Sequence, residues 1–367
     1  MARFRSRYRA GEWLEVRSKE EILATLDEKG ALDNLPFMPE MLRHCGQRFQ
    51  VFASAHKTCD TVNKTGGRRL RDTVHLEGLR CDGSAHAGCQ ANCSIFWKEA
   101  WLKPATEGAS PLPGSPPALL ERQSVRCDEP TLMQRTRLEG EDPRDPTYVC
   151  QATRLFEAST PLKRWAPRQY LADVLSRNVS PADAAKTLFL ALVYNLRAIK
   201  VGYRLSLWLY DRAHLIIRKC PSPYGNGTIP RGSPTPSERL DLQVGEIVRV
   251  RPHHEILATL DTRGHNRGMS FDKEMVRYCG QELRVSARME KIVNESTGKM
   301  LRMTNPSVLL EGTYCTSHYS ERRLLCPRRA VPFWREIWLN RAGDRTLQAT
   351  ESPVTVFPRA SREHMSD

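Results

Sequence analysis

Apolar and polar positions alternate through Trp13-Leu14-Glu15-Val16-Arg17, the pattern of a strand with one buried face. Ser18 follows, with Glu21 three residues on. That is a capping box, and it predicts a short helix or turn through Leu26. Residues 49–52 and 73–76 read as two further strands, with a turn over 63–67 between them. The same succession returns late in the chain, where 283–285 and 308–310 flank a turn at 295–298. The middle is different. Ser180-Pro181-Ala182-Asp183 puts Ser at the N-cap, Pro at the first helical position and Asp at the third, so a helix is expected from there to about Arg197. Leu188, Leu192 and Leu196, with Phe189 and Val193 beside them, predict its buried stripe, expected to pack between the flanking modules. A shorter helix is expected over 169–176. Segments 104–117 and 220–238 are rich in Pro, Gly and Ser and read as loop and linker.

The two strand-rich ends are copies of each other. Glu21-Ile22-Leu23-Ala24-Thr25-Leu26-Asp27 recurs as Glu255-Ile256-Leu257-Ala258-Thr259-Leu260-Asp261, an offset of 234. The same offset pairs Phe37 with Phe271, Glu40-Met41 with Glu274-Met275, Cys45-Gly46-Gln47 with Cys279-Gly280-Gln281, and Cys81 with Cys315. Three extra residues then shift it to 237, which pairs Cys89 with Cys326, Phe96-Trp97 with Phe333-Trp334, and Trp101-Leu102 with Trp338-Leu339. Two copies are too few for a solenoid, so a tandem or pseudo-twofold pair is expected.

Composition adds limits. With 40% apolar and 27% charged residues, the 367-residue chain can bury a core without disulfides. The start, residues 1–10, has four arginines and no apolar stretch behind it, and the longest apolar run, 188–193, is too short to span a bilayer. A cytoplasmic, reducing location is the expectation, with no membrane partner. The net charge of +14 suits a polyanionic partner such as nucleic acid. Its spread along the chain favours a generally basic surface, or a protein partner, over a nucleic-acid groove.

In a reducing location the 11 cysteines read as metal or redox residues. Cys81, Cys89 and Cys93 lie close in sequence in a Gly-containing loop, with His86 among them. Zinc takes four thiolate or imidazole ligands tetrahedrally, and iron–sulfur clusters are also held by thiolates. If the strands near Cys45 and Cys81 pair, those residues meet at one end of a hairpin, about 5 Å apart. The first candidate ligand set is therefore Cys81, Cys89, Cys93, Cys45 and His86, with Cys150 as the best addition and Cys59 and Cys127 as spares. The second is Cys315, Cys326, Cys279 and His318. Cys45 and Cys279 could equally be small buried apolar residues. Ala330 stands where the first copy has Cys93, so the second site is expected to be reduced. Residues 96–102 have Trp97 and Trp101 at helical spacing, expected as core packed over the barrel or as a stacking platform for a base or sugar. No phosphate-loop, dinucleotide, nucleophile-elbow or zinc-protease pattern is present.

Short strands, tight turns and one embedded helical turn resemble an SH3-like barrel. The whole arrangement, with Ala24-Thr25-Leu26-Asp27, Cys45-Gly46 and Phe96-Trp97-Lys98-Glu99-Ala100-Trp101-Leu102, resembles uncharacterised bacterial proteins with paired SH3-like, cysteine-bearing modules. That resemblance implies no activity. The expected fold is mainly β with α: a basic arm (1–10), a first SH3-like module (11–103), a proline-rich loop and helical connector (104–219), a linker (220–244), a second module (245–342) and a tail (343–367). The expected function is a metal-stabilised binding or accessory protein, with zinc as the metal. The alternatives are an iron–sulfur redox or electron-transfer protein, and a nucleic-acid-binding protein using basic SH3-like surfaces.

Overall fold

The alternating segment around Leu14 becomes the strand Trp13–Val16, buried at Leu14 and Val16. In the computed structural model, which describes residues 5–63, 65–105, 127–139, 142–196, 203–218, 225, 227–319 and 323–342, it lies in a five-stranded antiparallel sheet. The order across that sheet is Trp97–Lys98, Thr73–Leu76, Arg48–Ser54, Trp13–Val16, Leu102–Pro104. The second half repeats it as Trp334–Arg335, Ser307–Leu310, Glu282–Arg288, Ile247–Val250, Leu339–Arg341. Register repeats as well. Trp13 faces Gln50 as Ile247 faces Arg284, and Val51 faces Leu76 as Val285 faces Leu310, with a bulge after Val51 and after Val285. Neither sheet closes into a barrel. The fold is mixed, with several small antiparallel sheets and helices between them.

The aromatic centres of the two cores repeat. Phe37 packs edge-on to Trp97 and Trp101 at 6.2 and 5.1 Å, and Phe271 does the same to Trp334 and Trp338 at 6.2 and 5.2 Å. The two inner indoles find matching acceptors. Trp101 Nε1 donates to Thr25 Oγ1 and Trp338 Nε1 to Thr259 Oγ1, both at 3.1 Å. The Trp97/Trp101 spacing does not mark an α-helix. Trp97 is in a strand, Glu99–Trp101 is one 3-10 turn, and Leu102 is extended again, so the two indoles reach the core from different elements. All four tryptophans are fully buried, which leaves no stacking platform there.

Each copy also projects a hairpin from its sheet. Lys57–Cys59 pairs with Gly67–Arg69, which Thr160–Leu162 extends, and Lys291–Val293 pairs with Met300–Arg302. The described part of the basic arm packs on the fold: Ser6 and Tyr8 are buried and the Ala10 amide donates to Ser176 O.

Helices Pro167–Leu175, Pro181–Leu196 and Tyr203–Arg218 form the connector. Ser180 caps the second as expected, accepting from the Asp183 amide at 3.0 Å. Its buried stripe differs from the expected one. Ala184, Thr187, Leu190 and Tyr194 face inward, while Phe189 and Leu192 are exposed. Leu188 is only half-buried, and the side chain of Leu196 lies outside the described residues. The helix is apolar nearly all round, so periodicity could not select a face. It packs on Tyr203–Arg218 through Tyr194 and Tyr210 (5.5 Å), and Lys273 of the second module lies over the Tyr194 ring. No described helix is long and apolar enough to cross a membrane. The expected loop at 104–117 falls largely outside the described residues, as do Arg197, Cys220 and the tail from 343.

Candidate metal centre

The loop between Cys81 and Cys93 is closed at its base. The Cys81 amide donates to Cys93 O at 2.9 Å, and Arg80 bridges to Ser94. Inside, Gly83 takes a left-handed φ of 74°, and its O accepts the amides of His86 (3.0 Å) and Gly88 (2.8 Å). A Cβ on Gly83 would lie 2.1 Å from Cys89 O, so only glycine fits. This tight wrap turns His86, on the 3-10 turn Ser84–His86, back onto Cys81.

Cys81 Sγ lies 3.4 Å from His86 Nε2 and 3.5 Å from Glu40 Oε1. Glu40 comes from the 3-10 turn Pro39–His44, on the far side of the module sequence. The three candidate ligand atoms lie within 4.8 Å of one another, the one such trio of His, Cys, Asp or Glu among the described residues. Glu40 Oε2 and His86 Nδ1 are buried with no hydrogen-bond partner among the described residues. Burial pushes the Cys81 thiol and the Glu40 carboxyl up and the His86 imidazole down, so each group favours its neutral form while no cation is near.

Beside the trio is a cavity of about 40 Å³, walled by Glu40, Cys81 and His86 together with Cys89, Cys93 and Cys150. Burial also raises the Cys93 thiol, to about 12, and the Cys150 thiol. Cys89 Sγ accepts the Val293 amide at 3.2 Å, so the second copy's hairpin closes the cavity. The expected cluster of the Cys81, Cys89 and Cys93 sulfurs is therefore only partly formed. They share one cavity, but the groups at ligand distance from Cys81 are Glu40 and His86.

The remaining candidates go elsewhere. Cys45 and Cys279 are half-buried and pack against the two sheet cores, away from the cavities, and burial raises the Cys45 thiol. Hairpin pairing brings them to the sheet end but aims them at the core. Cys127 is in the first core. In the second copy, Cys315 and Cys326 line a cavity of about 200 Å³ with Glu274, Ser317, Arg323 and Ala330. Glu274 there is satisfied: the Tyr319 amide donates to it at 2.7 Å and Thr316 Oγ1 at 2.8 Å. His318 does not line that cavity. Its backbone amide also serves Glu274, and its ring meets Tyr319.

One cavity residue, Glu40, escaped the sequence reading, and another, Cys59, entered it only as a spare ligand for the first site. Glu40 looks like an ordinary surface acid, although its recurrence as Glu274 beside a methionine was a visible signal. Cys59 crosses over to the second copy's cavity, and nothing in local spacing encodes that. No family model, curated protein or solved structure matches the chain.

Proposed function

We propose that the chain is a metal-stabilised binding or accessory protein in which Cys81, His86 and Glu40 hold one zinc ion in the first module. The observation that carries this reading is the pair of distances from Cys81 Sγ, 3.4 Å to Nε2 and 3.5 Å to Oε1. Zn–S bonds of about 2.3 Å and Zn–N or Zn–O bonds of about 2.0–2.1 Å in a tetrahedron give ligand–ligand edges of roughly 3.5 Å. The fourth position falls to Cys89, Cys93 or a water in the adjoining cavity. Cys89, in the hairpin contact with Val293, ties the site to the second module. The ion would favour the deprotonated thiol and carboxyl that burial opposes, and so link metal binding to folding of the loop.

The strand order, with a 3-10 turn between the fourth and fifth strands in both copies, supports the SH3-like reading of each module. On this reading zinc is structural and the paired modules present surfaces to a partner.

The iron–sulfur alternative draws on four cysteines lining one cavity. Its size argues against it: about 40 Å³ accommodates an ion and a water, whereas a multi-iron cluster needs more room. Cobalt(II) substitution separates the readings. A thiolate-to-cobalt charge-transfer band that Cys81→Ser removes supports the mononuclear site. A brown, oxygen-bleachable chromophore in anaerobically purified protein would sink it.

A further inference from the structure

The second copy's cavity lacks the metal trio but contains a different pair. Cys59 comes from the first copy's hairpin Lys57–Cys59, and Cys326 from the second copy's loop. Both are buried and both line the same cavity of about 200 Å³. Their thiols are within hydrogen-bonding reach of each other. The repeat explains the approach. Position 59 corresponds to Val293 and position 326 to Cys89, and the Val293 amide lies 3.2 Å from Cys89 Sγ. Hairpin and loop therefore meet in the same way on both sides, but only one side places a thiol on each partner.

We propose that Cys59 and Cys326 form an inter-module disulfide by exchange with a small aliphatic disulfide. The first step has the thiolate of one cysteine attack a sulfur of the small disulfide. A protein–small-molecule disulfide forms and one small thiolate leaves, taking up the proton that the attacking thiol gave up. The second cysteine, deprotonated in turn, attacks the protein sulfur of that mixed disulfide and expels the second small thiol. Two protein thiols are oxidised, and one small disulfide is reduced to two thiols.

The surroundings favour the first deprotonation. Arg328, which is buried, hydrogen-bonds Cys59, and Arg323 adds a second positive charge in the same cavity. The hydrogen bond with the Cys326 thiol, together with the Arg328 guanidinium, pulls the Cys59 thiol down against the burial that opposes its ionisation, and the same pairing pushes the Cys326 thiol up. A metal reading of this cavity is weaker, because Glu274 is already engaged by Tyr319 and Thr316.

The test treats the folded full-length chain with 2-hydroxyethyl disulfide, blocks remaining thiols, digests without reduction and maps linked peptides by mass spectrometry. The expected result is a Cys59–Cys326 linked peptide that reductant removes. Cys59→Val, which installs the residue the other half carries at position 293, abolishes it while zinc content stays unchanged. If Cys59→Val fails to fold, Cys326→Ala serves as the second variant. Both thiols remaining free, carrying only the mixed disulfide, or linking to other cysteines would overturn the proposal.

Discussion

Thr61 Oγ1 donates a hydrogen bond to the Glu295 carboxylate, and the two residues are 234 positions apart, the offset of the repeat itself. A residue can touch its own counterpart only at the axis relating the copies. Arg328 closes the contact, with Nη2 on Glu295 Oε1 at 2.8 Å and Nη1 on Thr61 Oγ1 at 3.1 Å. The axis is therefore sealed by an ion pair between the buried Arg328 and the partly exposed Glu295, and Arg328 lines both cavities. The copies are joined as well by Gln90, whose Oε1 accepts the amides of Glu290 and Lys291.

Removing Glu295 takes the charge partner from the buried Arg328, whereas removing the Thr61 hydroxyl takes one neutral acceptor and leaves the ion pair in place. Glu295→Ala is expected to cost about 3 kcal/mol of unfolding free energy in urea denaturation, and Thr61→Val about 1 kcal/mol. Equal and negligible costs for both would mean that the axis contact does not hold the copies together.

The duplicated cores predict matched costs. Thr25→Val and Thr259→Val each leave a buried indole N–H without its acceptor, so each should lower stability by about 1–2 kcal/mol. If the two copies are equivalent, the two losses agree within about 0.5 kcal/mol. A large cost on one side and none on the other would contradict equivalence.

His75 sets an acid limit. It is buried, its Nδ1 bonds Ile95 O at 2.8 Å, and burial depresses its imidazole to about 4 from the ordinary 6.5. Between those values the unfolded chain binds a proton that the folded chain does not. The stability it contributes is present above pH 6.5 and is lost as pH falls toward 4, on the order of 3 kcal/mol in all. Urea midpoints measured from pH 7 to pH 4 should fall steeply, and His75→Gln should flatten part of that fall. An unchanged slope in the variant would show that other groups carry it.

Gly83 makes the loop geometry depend on one backbone position. Gly83→Ala introduces a Cβ against the Cys89 backbone in a left-handed conformation. It should cost more than about 1 kcal/mol and release metal during dialysis that wild type survives. Retention of the metal with unchanged stability would mean that the loop is not the binding frame.

The strands were legible because period-two alternation and the repeated offset reinforce each other, as at Leu14/Val16 and Val248/Val250. The connector's stripe was not, because Leu188, Phe189, Leu190 and Leu192 crowd every side of one helix, and tertiary contact with Tyr210 selected the face. In the site, Cys81, His86, Cys89, Cys93 and Cys150 were readable as cysteine-loop chemistry, and the structure puts them around one cavity. Glu40 was hidden because a buried carboxylate has no local signature. The split of Cys59 from the first cavity was hidden because hairpin exchange across the axis is a long-range property. Cys45 and Cys81 both pack against the first core, but only Cys81 lines the cavity.

The central claim is one zinc ion on Cys81, His86 and Glu40. Its most direct test is metal content by mass spectrometry of the purified chain, alongside Cys81→Ala and the repeat-equivalent Cys315→Ala. The account predicts close to one zinc per chain in wild type and in Cys315→Ala, and loss of the metal in Cys81→Ala. Full zinc content in Cys81→Ala, or no metal in wild type after zinc supplementation, would contradict it.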